Sequence, residues 1–363
     1  MSAQQPFDLR ALPASFYEDP YSTYARLRQE TPVYLCPDGS FFLTRYTDIN
    51  DVYRDPRRFS SDKRIQFAPV FGVGSPLYEH HTTSLVFNDP PLHTRVRKAI
   101  GNALSMQMVR TMQAGLETLV DDLLNAMADK NRVDLIADYA AAIPIEIIGN
   151  MLGVPQAERG PLRRWSLSIL GALEVGLDEG KLADGNACVT EFLQYLQEFV
   201  PRRRATMSEQ DDDILARLLR WQDDQGGLAP SELYHQCIFL LNAGHETTTN
   251  LIGNGAELLL RFPKQRERLR REPSLIESAV EEMLRYESSN QLGKLTTTED
   301  VRVGGVDISA GTVLTLCIGA ANRDPAQFDD ADCFDISREH NPHLAFAAGI
   351  HTCAGLNVAR LEG

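Results

Sequence analysis

The run from Phe346 to Gly355 (FAAGIHTCAG) places one cysteine, Cys353, in a loop suited to holding a sulfur against a bound group. Gly349 and Gly355 permit backbone conformations closed to residues with a Cβ, and Ala347, Ala348 and Ala354 let a flat ligand approach the main chain. A thiolate held this way is a good iron ligand. A structural zinc site needs four nitrogen or sulfur ligands, and neither His351 nor another cysteine completes such a spacing. Chemistry is also concentrated in Ala243-Gly244-His245-Glu246-Thr247-Thr248, which sets a carboxylic acid beside an alcohol. In an arbitrary helix such threonines bond back to carbonyls one turn earlier and the face is solvated. Glu282 and Arg285 stand at i, i+3, the spacing of a helical ion pair. His93 and Arg97 stand four apart, on one face of a helix that follows Asp89-Pro90-Pro91. A capped surface helix has the same spacing.

The elements that must position these groups are mostly helical. Residues 32–35 and 41–44, separated by Pro37-Asp38-Gly39, predict a β-hairpin, the one clear early sheet. From about residue 91 the apolar residues recur at helical spacing, predicting helices over 106–129, 139–152, 159–173, 189–204, 212–221, 230–261 and 274–286. A second β-rich patch covers 296–316, around Gly304, Gly305 and Gly311. Residues 60–90 and 174–188 read as irregular, a form typical of binding loops or lids and equally of variable surface. The 230–261 helix is the longest, about 48 Å. Pro230 suits its first turn, and Phe262-Pro263 ends it. Leu233, Cys237, Leu240, Gly244, Thr248, Leu251, Gly255 and Leu258 form the apolar seam of a helix that runs through a core. Its middle is polar, from Asn242 to Asn250, and costly to bury without partners.

The 363 residues, 43% hydrophobic and 8% aromatic, are ordinary globular material with room for a buried pocket. No run approaches the roughly 20 apolar residues of a membrane helix, and the start MSAQQPFDLR lacks a basic segment followed by an apolar core, so a cytoplasmic protein is expected. Six cysteines without a C-x-x-C pair fit reduced thiols. A net charge of −14 argues against nucleic acid as a partner. With no repeat, low-complexity tract or long linker, residues 1–363 read as a single domain.

In their order along the chain these motifs resemble the cytochrome P450 family. Phe346, Gly349, His351, Cys353 and Gly355 match its haem loop, Phe-x-x-Gly-x-His-x-Cys-x-Gly, with Ala347 where a Gly is usual. Residues 243–248 match its central-helix pattern, [Ala/Gly]-Gly-x-[Asp/Glu]-Thr-[Thr/Ser]. Glu282-x-x-Arg285 and the Arg338 of Phe334-x-x-x-Arg338 match its structural triad, and Asn322-Arg323-Asp324-Pro325 falls between them. Family members usually add an Arg on the strand after Glu-x-x-Arg; that register falls on Leu295, and a slip of one offers Lys294. They also usually continue several dozen residues past the Cys, so the chain reads as incomplete at its C-terminal end.

The resemblance implies a mainly α, triangular fold of bacterial soluble type, with small β-sheets and haem b between the long central helix and the Cys loop. Cys353 would ligate the iron, with Phe346, Gly349, Gly355, Ala243 and Gly244 against the haem and His93, Arg97, His351 and Lys294 on its propionates. Glu246 would connect to a proton source, and Thr247 would position the oxygen species and its water. Gly244 would open the helix backbone to oxygen and water. Glu282, Arg285 and Arg338 would lock the core behind the haem. The implied activity is a monooxygenase that uses O2 on a small to medium hydrophobic substrate touching Phe239, Asn242 and Leu292, with 66–87 and 174–188 as the lid. Electrons would come from a ferredoxin and its reductase, docked where Arg95, Lys98 and Arg360 offer positive charge. The implied working form is a monomer, without membrane or nucleic acid. A peroxide-driven haem-thiolate enzyme, a non-catalytic haem-binding protein and a haem-free helical scaffold stay open; the first two do not need Glu246 and Thr247.

Overall fold

A computed structural model describes residues 7–363, apart from 105, 175 and 226 and the side chains of 223–225. By density of internal contacts the chain falls into two units, one comprising the chain up to Ser61 with Asn254–Cys353, the other Asp62–Gly253 with Ala354–Gly363.

The first unit holds the sheets. Its strands are β1 (Val33–Leu35), β2 (Phe41–Leu43), β3 (Phe59–Ser60), β4 (Leu292–Thr297), β5 (Val301–Val303), β6 (Val306–Ile308) and β7 (Val313–Cys317). The expected hairpin forms, Val33 opposite Leu43, but it does not stand alone: β2 pairs in parallel with β7, Phe42 opposite Thr315, giving the order β1-β2-β7-β4-β3. β5 and β6 make a separate ribbon. The second β-rich patch therefore begins at Leu292, four residues before the predicted start, because Leu292 and Gly293 already pair with Cys317 and Leu316. Beneath the sheet Leu43, Ile49, Leu295, Leu314 and Leu316 form one apolar cluster. The helix Ile276–Tyr286 buries Glu282 and Arg285 on its inner face.

The second unit is helical. Its apolar core gathers side chains from Leu92–Ala103, Ala142–Met151, Leu162–Gly171, Glu179–Thr206 and the central helix Pro230–Arg261, whose predicted limits are those observed. Glu232 reaches back to accept from Ala229 N at 2.8 Å, closing the first turn of that helix. Leu233, Cys237, Leu251 and Leu258 of the predicted seam are buried.

The stretches expected to be irregular are instead largely helical. Residues 60–90 contain the helices Arg64–Phe71 and Pro76–Thr83, and Glu179–Thr206 starts ten residues before the predicted 189. Caps account for both starts: Ser75 Oγ accepts from Tyr78 N at 3.2 Å, and an Asp178 carboxylate oxygen accepts from Lys181 N at 2.8 Å. Packing accounts for the rest. The backbone N of Leu77 donates to Asn186 Oδ1 at 3.0 Å, and a Cβ at Gly185 would sit 3.0 Å from Leu77 Cδ1. Of the second expected lid segment, Val175 lies outside the described residues, as do residues 1–6 at the chain start. No described helix is long and apolar enough to cross a membrane.

Candidate active site

The cysteine loop is built by backbone hydrogen bonds. Cys353 N donates to Phe346 O at 2.9 Å, and Ala347 N to Leu344 O at 2.8 Å. Leu344 N donates to Asn322 Oδ1 at 2.7 Å, which ties the base of the loop to the Asn322-Arg323-Asp324-Pro325 segment. Within that segment the Arg323 guanidinium lies 3.4 Å from the ring centroid of Tyr21 and 3.6 Å from that of Tyr286. Two loop residues are left-handed, Ala347 at φ +55° and Gly349 at φ +69°. Glycine is enforced at 349, since a Cβ there would fall 2.2 Å from Tyr53 O. At 347 the alanine holds a conformation that costs an L-residue about 1–2 kcal/mol, the reason a glycine is usual there. The thiol of Cys353 is left half-buried, as are Phe346, His351 and Gly355. A Cβ added at Gly355 would meet no atom within 4 Å.

In the same unit Glu282, Arg285 and Arg338 come together. Arg285 Nε and Nη2 donate to Glu282 Oε2 and Oε1 at 2.7 and 2.8 Å, and Arg338 Nε donates to Glu282 Oε2 at 3.1 Å. Arg285 also donates to the carbonyls of Asn322, Ala331 and Cys333, so its buried charge is fully met. On β4, Leu295 points into the apolar cluster and Lys294 is exposed on the other face. An Arg in the Leu295 register would bury its charge among leucines, which leaves Lys294 as the cation available on this strand. Leu292, half-buried, packs beside the Phe7, Tyr24 and Phe42 cluster.

In the helical unit, Phe239 is half-buried while Ala243 and Thr247, one turn apart, are exposed in the middle of a helix whose flanks are buried. Thr247 Oγ1 donates to Ala243 O at 2.8 Å and Thr249 Oγ1 to His245 O at 2.8 Å, the back-bonding expected of helical threonines. Glu246 is half-buried and its carboxyl is pushed up, by burial first and then by the like charge of Glu174. At Gly244 a Cβ would lie 2.7 Å from Ile148 Cδ1, so the glycine also admits the helix Ala142–Met151. His93 is buried and held neutral by burial and by Arg97, which is itself half-buried. Arg95 is not a free docking charge: it forms a two-point ion pair with Glu232 at 2.9 and 2.6 Å.

Several partners of the polar centre escape sequence reasoning. His245 Nδ1 lies 3.1 Å from Ser166 Oγ, Asn242 Nδ2 lies 3.3 Å from His80 Nε2, and Thr248 Oγ1 donates to Glu362 Oε2 at 3.1 Å. Burial lifts the Glu362 carboxyl to about 8. The adjacent pair His80-His81 is the only one of these with a visible signal in the sequence.

Predominantly helical architecture with small sheets, and one thiol presented on a strained loop, define a haem-thiolate oxidoreductase. Residues 180–363 match the profile of the family Cytochrome P450. The vitamin D(3) 25-hydroxylase of Pseudonocardia autotrophica is 38% identical over 96% of this chain and 85% of its own length. The 6-deoxyerythronolide B hydroxylase of Saccharopolyspora erythraea is 35% identical over 96% and 87%. Among solved structures, CalO2 superposes with a TM-score of 0.92 at 31% identity, covering 98% of this chain and 88% of its own. The chain belongs to the cytochrome P450 family and is a monooxygenase with a haem-iron cofactor.

Proposed function

We propose that the protein binds haem b through Cys353 and inserts one oxygen atom of O2 into a small to medium hydrophobic molecule, by hydroxylation or oxidative dealkylation. The half-buried Cys353, presented by a loop that its own backbone hydrogen bonds hold, carries this reading. The donor set fits the group: one soft thiolate for iron, and His93, Arg97, His351 and Lys294 as hydrogen-bond donors for two propionates. Thiolate-ligated haem, when bound, supplies oxygen activation.

The chain's own groups then have distinct tasks. The single hydroxyl proton of Thr247 is committed to Ala243 O, so its oxygen acts as an acceptor that orients a water. Glu246, whose carboxyl is raised toward neutrality, holds and passes a proton in that neighbourhood. Phe239, Ala243 and Asn242 present a mostly apolar surface with one amide for the substrate. The two hydroxylases named above support hydroxylation as the outcome. Electrons come from a ferredoxin and its NAD(P)H-dependent reductase. Substrate-stimulated NAD(P)H consumption with that pair, and stoichiometric product, tests the reading. Turnover with peroxide alone, and none with reductase and O2, favours the peroxide-driven enzyme.

A further inference from the structure

A cluster of buried polar groups lies where the helix Pro76–Thr83 meets the N-terminal half of the central helix. His80 and His81 come from the first, His235, Gln236 and Asn242 from the second, and each is at most 8% exposed. Ring centroids are 5.0 Å apart for His80 and His81 and 5.8 Å for His80 and His235. The two helices are tied by the Asn242–His80 contact and by Gln236 Nε2 donating to Thr83 O at 2.7 Å. Phe67, Phe71 and Phe87 wall His81 with their rings.

Five atoms of this cluster are shielded from solvent and meet no hydrogen-bond partner: His80 Nδ1, His81 Nε2, His235 Nδ1, Gln236 Oε1 and Asn242 Oδ1. Packing alone does not account for five, since each unmet buried group costs as much as a lost hydrogen bond or more. The charge state is settled by surroundings. Burial depresses His80, holds His81 near 3 and His235 near 4, and the ionisable groups that act on His80 are His81 and His235. The imidazoles are therefore neutral. No group of three His, Cys, Asp or Glu among the described residues is disposed to hold a metal ion.

The donor and acceptor pattern selects the ligand. Asn242 Nδ2 donates to His80 Nε2, so the proton of that ring sits on Nδ1, an unmet donor. Gln236 Oε1 and Asn242 Oδ1 are unmet acceptors. A hydroxyl both donates and accepts, whereas a ketone only accepts, and a carboxylate only accepts while adding a charge that is costly to bury beside neutral imidazoles. The eight-residue helix that carries His80 and His81 follows Gly72 and Gly74, both at positive φ.

We propose that His80, His81, His235, Gln236 and Asn242 form a specificity site that receives a hydroxyl group of the substrate, so that the preferred substrates are hydrophobic alcohols. The oxidation of such an alcohol rests on the monooxygenase reading above; its binding does not. The test uses the haem-loaded protein and three probes, cyclododecanol, cyclododecane and cyclododecanecarboxylate. Affinity is read from the Soret shift, and the eight histidines are followed by NMR of the histidine-labelled ferrous CO complex. The expected result is cyclododecanol bound about ten-fold more tightly than cyclododecane, with three histidine resonances shifting. In His80→Phe and Asn242→Leu that preference falls to less than about two-fold. Equal affinity for alcohol and alkane, tightest binding of the carboxylate, or a preference that survives both substitutions overturns the proposal. Should the variants fail to fold, the parent decides: saturation with cyclododecanol that moves no histidine resonance also overturns it. Binding with the expected preference but no oxidised product leaves the site standing and refutes the monooxygenase reading instead.

Discussion

Replacement of Arg285 by lysine keeps the charge and removes the planar fork, and its cost follows from the hydrogen bonds the guanidinium makes. There are five: both oxygens of the buried Glu282 at 2.7 and 2.8 Å, and the carbonyls of the buried Asn322 and Ala331 and of the exposed Cys333 at 2.8, 2.7 and 3.0 Å. An ammonium has three donors, so at least two acceptors go unmet, at about 1–3 kcal/mol each. Glu282 retains Arg338, the backbone N of Asp335 at 2.9 Å and Asn341 Nδ2 at 3.2 Å, so its carboxylate is not stranded. That places the expected loss in the lower part of the range, about 2–4 kcal/mol. Reversible urea unfolding of the haem-loaded parent and variant, followed by far-ultraviolet circular dichroism, measures it. A loss under about 0.5 kcal/mol would mean that the carbonyls find other donors and that the fork is not what holds this segment.

Cys353→Ser should abolish the long-wavelength Soret band of the reduced CO complex, and persistence of that band would remove Cys353 as the iron ligand. Thr247→Ala should leave substrate affinity near the parent value while product formed per NAD(P)H falls and peroxide rises; unchanged coupling would leave Thr247 with its back-bond to Ala243 as its whole role. Glu362→Gln tests a pH effect. The folded carboxyl titrates near 8 against an ordinary 4.5, so the folded state keeps a proton that the unfolded chain releases, and stability falls as pH rises through that window. At about 1.4 kcal/mol per pH unit, the parent should lose several kcal/mol between pH 5 and 9 that the Gln variant retains, and parallel stability curves would contradict this. Lys294→Ala should speed haem loss to apomyoglobin about as much as Arg97→Ala does, whereas an unchanged rate would show that His93, Arg97 and His351 suffice.

Residues with strong local signals were legible in the sequence. The central helix could be bounded because its apolar seam runs unbroken from Pro230 to the Phe262-Pro263 stop, and Glu282 with Arg285 followed from spacing on a helix. What stayed hidden depends on contacts distant in sequence. The helix Pro76–Thr83 has a short polar sequence between Gly74 and Ser84, and it forms because Leu77 docks on Asn186 and Gly185, more than a hundred residues on. The close approach of Ile148 to Gly244 comes from another helix, and the carboxyl met by Thr248 lies at Glu362. That Lys294 is exposed and Leu295 buried depends on how β4 lies against β7, which is also set by distant pairing.

The parallel pairing of β2 with β7 has a consequence for synthesis on the ribosome. Phe41–Leu43 emerge early, while their partner Leu314–Leu316 follows roughly 270 residues later. At about 5–20 residues per second, that is a wait of roughly a quarter of a minute to a minute. Throughout it one edge of the nascent hairpin has no strand to pair with, and such an edge is a template for pairing with other chains. Phe42 and Leu43, fully buried in the finished protein, are the side chains a chaperone would have to cover during translation.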